Sequence, residues 1–256
     1  AQYCAYFTKD TDGVMICLCP GERPLPGAKN MTDMPLRAAG IPREETNMKI
    51  AVVCANGKAG KMIVHEALSR GLDVTAIARS ENASEARSFV QKDLFDLTAK
   101  NLQGYDAVVD AVGAWTPETL GGIPRAAEHL CNLLSGTATR LLVVGGAGSL
   151  YVNREHTLCV ADGPDFPDAF KPLAAAHDEA LKLLRTRSDV RWTYLSPAAD
   201  FQADGPRTGR YRLGGEELTL SSKGESVLSY ADYAIAMVDE IVSGQHVGQR
   251  ISVVQA

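Results

Sequence analysis

Continuous apolar runs alternate with helix-period segments along most of the chain. Residues 50–53 form an unbroken apolar run, as expected of a strand covered on both faces. Apolar side chains in residues 63–68 then recur at helical spacing, and Gly71 is placed to end that helix. The same alternation predicts further strands over 74–77, 88–91, 107–112, 140–144, 190–195 and 250–254, and helices over 124–134, 174–185 and 231–242. It favours an α/β fold of the Rossmann type: a doubly wound, mostly parallel sheet with helices on both faces.

Two segments depart from this alternation. Residues 1–47 are rich in proline and show little periodicity, and only residues 14–18 could form a short strand. We therefore predict a loosely ordered N-terminal extension over residues 1–47 and one domain over residues 48–256 with small substrate-side elements near its C-terminal end. Residues 211–220 are expected to form a hairpin around Gly214 and Gly215.

The turn after the first predicted strand carries a glycine motif. Cys54-Ala-Asn-Gly57-Lys-Ala-Gly60 approximates the dinucleotide pattern G-x-x-G-x-x-G, with cysteine at the first glycine position. A strand that runs through such a turn into a helix presents free backbone N–H groups and the positive end of the helix dipole, which suit a phosphate. A P-loop is disfavoured because Ala55 and Met62 replace its first glycine and its hydroxyl residue. An ordinary β-turn-α unit without a ligand is the remaining alternative.

The residues at the end of the second predicted strand indicate whether the dinucleotide is NAD or NADP. An acidic residue there would bind the ribose 2′-hydroxyl of NAD, whereas a basic residue suits the 2′-phosphate of NADP. This chain has Arg79 followed by Ser80, a guanidinium and a hydroxyl that can both donate to a phosphate. We therefore predict that NADP(H) is preferred over NAD(H), with a solvated strand-end arginine as the alternative.

Charge and cysteine content narrow the class of protein. A net charge of −5 gives no general attraction to nucleic acid or to membranes. The six cysteines include no C-x-x-C pair and lack the spacing of a secreted disulfide scaffold or a zinc site. We expect a cytoplasmic protein that binds no metal, acts on a small-molecule substrate, and is a monomer or a homodimer.

With these motifs the chain resembles the atypical, NAD(P)H-binding branch of the short-chain dehydrogenases/reductases. That branch includes NmrA-like proteins and biliverdin-IXβ or flavin reductase-like proteins. The resemblance covers residues 48–256 and rests on residues 50–60, 74–79, 92–97, 108–113, 143–149, 192–197 and 229–234.

The resemblance implies roles for residues at the strand ends. The residues implied to contact the cofactor are Asn56, Gly57, Lys58, Ala59, Gly60, Arg79, Ser80, Asp93, Leu94, Ala111, Val112, Gly113 and Pro197. Residues 56–59 would surround the pyrophosphate, Asp93 and Leu94 would border the adenine, residues 111–113 would line the ribose, and Pro197 would lie near the nicotinamide.

The catalytic pair of the wider superfamily is absent. Relatives commonly use Tyr-x-x-x-Lys for proton transfer, but none of the ten lysines here has a tyrosine four residues before it. Ser149 is a weak catalytic candidate, with helix or turn capping as its alternative role. Trp115, Tyr151 and Phe201 are substrate-side candidates, with packing as their alternative role.

Two functions remain open from the sequence. The leading hypothesis is an NADPH-dependent reductase of a flavin, a quinone or another conjugated carbonyl-type small molecule, because such acceptors can take their proton from solvent. The alternative is a non-catalytic NAD(P)-binding redox sensor of the NmrA-like type, which the absent proton relay favours.

Overall fold

The computed structural model describes residues 6–9, 15–18 and 48–256. The chain forms two compact units, Ala1–Arg43 and Glu44–Ala256. In the first unit, β1 (Tyr6–Lys9) pairs antiparallel with β2 (Met15–Leu18), which confirms the short strand predicted there. The rest of the predicted extension, including its loose order, lies outside the described residues. Its separation from a domain at residues 48–256 stays a prediction.

The second unit is built on an eight-stranded sheet with the order β10-β12-β8-β7-β6-β3-β4-β5. Its strands and those of a small separate sheet are β3 (Lys49–Val53), β4 (Asp73–Ala78), β5 (Ser88–Gln91), β6 (Ala107–Asp110), β7 (Arg140–Val144), β8 (Arg191–Ser196), β9 (Asp200–Gln202), β10 (Tyr211–Gly214), β11 (Val227–Ser229) and β12 (Gln249–Gln255). Neighbouring strands of the large sheet are parallel, except that β10 runs antiparallel to β12. β9 and β11 form the separate parallel pair.

Helices cover both faces of this sheet. They are α1 (Lys58–Ser69), α2 (Pro117–Leu120), α3 (Gly122–Leu134), α4 (Lys171–Arg185) and α5 (Tyr230–Ser243). Alternate residues of β3 enter opposite cores: Ile50 and Val52 pack with α1 and α5, whereas Ala51 and Val53 pack with α3 and α4. The predicted Rossmann-type architecture is confirmed. Among the described helices, none combines the length and the apolarity needed to cross a bilayer.

The predicted hairpin over residues 211–220 is wrong. β10 pairs with β12 instead, and Glu217 makes an isolated bridge to Tyr151. The chain still turns back after Gly214. This is shown by the Thr219 hydroxyl, which lies so close that a Cβ atom on Gly214 would be 1.8 Å from it. Thr219 makes a side-chain hydrogen bond of 3.0 Å with Ser252 of β12, and the Leu220 carbonyl accepts from the Arg212 side chain of β10 at 3.3 Å. The returning segment is therefore held by side-chain bonds and does not pair with β10 as a strand.

Candidate functional site

The chain after β3 makes a tight turn at the carboxyl edge of the sheet. Cys54 adopts a left-handed backbone with φ of 59°, the conformation for which glycine is the favoured residue. The Gly57 amide donates to the Cys54 carbonyl at 3.0 Å, and the Ala55 amide donates to the Ile77 carbonyl of β4 at 3.2 Å. The glycine geometry of the motif is therefore kept at a position where the chain has cysteine.

Gly60 brings α1 directly against this turn. A Cβ atom on Gly60 would lie 2.7 Å from the Cys54 carbonyl oxygen and 2.9 Å from the Ala55 Cα atom. These are backbone atoms that cannot rotate away, so glycine is required for the close approach. Gly57 is the N-cap residue of α1, in an extended conformation and without a side-chain cap.

The first turn of α1 is suited to an anion. The helical hydrogen bonds begin with the Lys61 amide, which donates to the Gly57 carbonyl at 2.9 Å. The amides of residues 58–60 therefore precede the first intrahelical donor and point out of the helix end. No acidic residue lies in this turn, and Lys58 is exposed. A diphosphate fits here, because it would supply the acceptors that these N–H groups lack.

Arg79 and Ser80 follow β4 directly, and both are exposed. The Arg79 side chain forms no ion pair with any described residue. The loop that begins with Ser80 is tied to the turn after β3 by the Asn56 side chain. The amide nitrogen of Asn56 donates to Ser80 Oγ at 3.1 Å and to the Glu81 carbonyl at 2.7 Å, and its Oδ1 accepts from the Ala83 amide at 2.8 Å.

The neighbouring strand ends supply the residues predicted near the adenine and ribose. Asp93 caps a short 3-10 helix, and its carboxylate accepts from the Phe95 amide at 2.9 Å, while Leu94 is buried. After β6, Ala111 is buried and donates from its amide to the Val53 carbonyl at 3.2 Å. Val112 is half-buried and Gly113 is exposed. The loops after β3, β4 and β6 thus lie side by side along one edge.

A buried carboxyl group lies beneath this edge and was not among the predicted site residues. Asp110, the last residue of β6, is 3% exposed, and its Oδ1 accepts from the Val112 amide at 3.1 Å. Burial raises its pKa to about 6, although the Val112 hydrogen bond opposes that shift. Burial, followed by the charge of Asp110, raises the pKa of the Cys54 thiol to about 12. Cys54 is therefore a neutral thiol, which argues against a nucleophilic role. The sequence signal for Asp110 was an acid ending an otherwise apolar run.

Of the predicted substrate-side residues, Trp115 is open to solvent. Its side chain lies beyond β6 and is 72% exposed, with the indole nitrogen near Gly113. Phe201 is instead packed against two rings, with centroids 4.0 Å from Tyr230 and 4.9 Å from Tyr233. Pro197 is buried directly after β8. Only Trp115 of this group presents a free aromatic face.

Ser149 and Tyr151 are both engaged with Arg250 of β12. One guanidinium nitrogen of Arg250 donates to the Ser149 carbonyl at 2.9 Å and to Ser149 Oγ at 3.0 Å. Arg250 also lies 5.6 Å from the centroid of the Tyr151 ring, which stacks on His156 at 4.3 Å. Glu216 accepts from Arg250 and so balances its buried charge. These contacts support the packing alternative for Tyr151. The Ser149 hydroxyl is bonded to a guanidinium rather than to the backbone N–H group of a helix or turn, so they do not support the capping alternative.

His177 of α4 packs on the loop after β7. A Cβ atom on Gly146 would lie 2.9 Å from the imidazole, and Nδ1 is buried with no hydrogen-bond partner among the described residues. Burial lowers the imidazole pKa to about 4, so the ring is neutral near pH 7. No spacing pattern in the sequence distinguishes this histidine from a packing residue.

Two open depressions lie away from the strand ends. One, of about 390 Å³, lies between β10 and α5 and is lined by Arg70, Tyr211 and His246, among others. The other, of about 520 Å³, lies at the opposite edge of the sheet, near the starts of β4 and β5. Neither contains a predicted site residue. We locate the site at the carboxyl edge, because ligands of open parallel sheets bind in the crevice beyond those strand ends. Within the described residues, no group of three or more His, Cys, Asp or Glu side chains could hold a metal ion.

Comparison with known proteins identifies the family of this chain. The sequence profile of a family described as NAD(P)H-binding matches residues 54–241, which include the turn, α1 and the later strand ends. The uncharacterized protein YwnB of Bacillus subtilis (strain 168) is 43% identical over 211 residues, which cover 81% of this chain and 98% of YwnB.

Solved structures extend the comparison. A candidate NADH-flavin reductase from Streptococcus pneumoniae TIGR4 is 54% identical, has a TM-score of 0.80, and matches 82% of this chain and 100% of its own. A candidate epimerase from Bacteroides thetaiotaomicron is 31% identical, has a TM-score of 0.71, and matches 81% and 97%. With the profile match spanning most of the chain and the relatives matched almost end to end, this chain belongs to the NAD(P)H-binding family.

Proposed function

We propose that this protein is an NADPH-dependent reductase that acts on a flavin, a quinone or another conjugated carbonyl-type small molecule. The observation that carries the proposal is the edge formed after β3, β4 and β6. There the free amides of the α1 turn lie beside a loop that offers Arg79 and Ser80 and no acid at the strand end.

Different residues of this edge would bind different parts of the cofactor. Residues 58–60 would hold the pyrophosphate through backbone N–H groups, and the Arg79 guanidinium would bind the 2′-phosphate. Asp93 and Leu94 would border the adenine, and residues 111–113 would line the ribose. The Streptococcus pneumoniae relative is named for NADH. Our preference for NADPH rests on Arg79 and Ser80 of this chain.

The bound nicotinamide would supply a hydride, and the protein would orient the acceptor against it and exclude water. Trp115 would stack a flat acceptor; its exposed ring just beyond β6 supports this role. No Tyr-x-x-x-Lys pair is present to deliver a proton. A conjugated acceptor tolerates this absence, because solvent can protonate it after it has received the hydride.

The same absence weighs against one other assignment and favours a second. An epimerase, as one relative is named, would need a protein group to move a proton at a carbon centre. A non-catalytic redox sensor needs no such group, and it remains the second candidate because it uses the same cofactor edge.

The test is NADPH oxidation by the purified protein with a panel of flavins, quinones and aldehydes, together with equilibrium binding of NADPH and NADH. We expect acceptor-dependent oxidation with a flavin or a quinone and tighter binding of NADPH than of NADH. Tight NADPH binding without turnover of any acceptor would support the sensor instead. Tighter binding of NADH would refute the role given to Arg79.

A further inference from the structure

We propose that Asn56 is a positioning residue that sets the preference for NADPH over NADH by clamping the loop after β4. The inference rests on the cofactor site proposed above. It gives Asn56, which the resemblance implies at the pyrophosphate, a side-chain role toward the protein rather than toward the cofactor.

The clamp uses the full hydrogen-bonding capacity of the amide nitrogen. Its two N–H groups are donated to Ser80 Oγ and to the Glu81 carbonyl, and Oδ1 accepts from the Ala83 amide. Asn56 itself is half-buried and lies in the turn after β3. A single side chain thus joins the turn proposed to hold the pyrophosphate to the loop proposed to hold the 2′-phosphate.

The direction of the bond to Ser80 matters for a phosphate. Because Ser80 Oγ accepts from Asn56, its own proton is free to be donated elsewhere. Ser80 is exposed and adjacent to Arg79, so this proton and the guanidinium can bind the same anion.

The clamp also fixes the backbone of Glu81, the first acidic residue after Arg79. Without the bonds from Asn56, this loop and the Glu81 carboxylate would be free to move toward Arg79 and Ser80, where the 2′-phosphate is proposed to bind. A carboxylate there would repel a 2′-phosphate and would tolerate a 2′-hydroxyl. Loss of the clamp should therefore weaken NADPH binding and leave NADH binding nearly unchanged.

The experiment is titration of the full chain and its variants with NADPH and with NADH. For Asn56→Ala we expect NADPH to bind roughly tenfold more weakly, with NADH changed by less than about twofold. Asn153→Ala is the matched control, because Asn153 also makes three hydrogen bonds, all within its own turn, to Thr157 and Leu158. That variant should leave the ratio of the two affinities unchanged.

The outcomes distinguish failure of the role given to Asn56 from failure of the proposed cofactor preference. An equal loss for both dinucleotides, or no loss for either, would overturn the role of Asn56 while leaving the NADPH preference of the unmodified protein standing. If the unmodified protein shows no preference, the proposed cofactor assignment itself fails. If Asn56→Ala does not fold, Ala83→Pro removes the amide that donates to Asn56 Oδ1, leaves the Arg79 and Ser80 side chains in place, and should still weaken NADPH binding selectively.

Discussion

Cys54 is the residue at which this chain departs from the usual glycine motif, yet its backbone keeps the left-handed conformation of the motif. A side chain in that region costs about 1–2 kcal/mol relative to its preferred conformations. The surroundings therefore impose the turn. The Gly57 amide donates to the Cys54 carbonyl, the Ala55 amide donates to the Ile77 carbonyl, and Gly60 packs closely against the turn.

Replacing Cys54 with glycine or alanine tests whether the turn is imposed. Within a helix, a protein with alanine is more stable than one with glycine by roughly 0.5–1 kcal/mol. Ala175→Gly at an exposed position of α4 measures this ordinary difference. At position 54 we expect the reverse, with Cys54→Gly about 1 kcal/mol more stable than Cys54→Ala in urea unfolding. Alanine as stable as glycine there would show that the left-handed turn is not enforced.

Asp110 gives a second prediction at the scale of single residues. Its pKa is raised from 3.8 to about 6, so the folded protein holds this proton more tightly than the unfolded chain. The resulting stabilisation is present below about pH 4 and is lost as the pH rises through about 6. Asp110→Asn keeps the acceptor for Val112 without the charge, and should raise the free energy of unfolding near neutral pH by up to about 3 kcal/mol.

The measurement is urea unfolding of both proteins across the acid to neutral range. The advantage of Asp110→Asn should shrink as the pH falls from about 6 toward about 4, because the carboxyl of the folded wild-type protein becomes protonated over that range. A stability difference that stays constant with pH would mean that burial does not raise the pKa of Asp110.

At the scale of elements, the proposed binding of the pyrophosphate depends on the close contact between α1 and the turn after β3. Gly60→Ala would place a methyl group 2.7 Å from the Cys54 carbonyl, so either the helix or the turn must shift. We expect a loss of about 2–3 kcal/mol of stability together with loss of NADPH binding, measured by thermal unfolding and by titration. Gly122→Ala at the start of α3 is the control, because its Cβ would enter open space. A Gly60→Ala protein that binds NADPH normally would place the pyrophosphate elsewhere.

The elements were largely predictable from the sequence, and the side-chain partners were not. Buried parallel strands such as β7 appear as continuous apolar runs, and the predicted bounds of 140–144 match those of the structure. The hairpin around Gly214 was wrong because the partners of that segment, in β12 and near Tyr151, are distant in sequence. The contact of Arg250 with Ser149 and the bonds of Asn56 are long-range in the same way, and local pattern carries no information about them.

At the scale of the whole molecule, the strand order brings distant loops to one edge. β3 lies between β4 and β6, so the segments that follow these three strands meet although they span residues 54–113. This reversal of strand order is where dinucleotides bind in doubly wound sheets. In the proposed function this edge binds the cofactor, and an acceptor that needs no proton from the protein is chosen because the chain has no Tyr-x-x-x-Lys pair.

Hydride transfer itself is therefore the central claim. Its most direct test is a single turnover with NADPH deuterated at the nicotinamide carbon that gives up the hydride, followed by stopped-flow in the presence of a flavin or a quinone. We predict acceptor-dependent oxidation of the bound NADPH, slowed by a primary isotope effect. Bound NADPH that is oxidised by no acceptor would contradict the account.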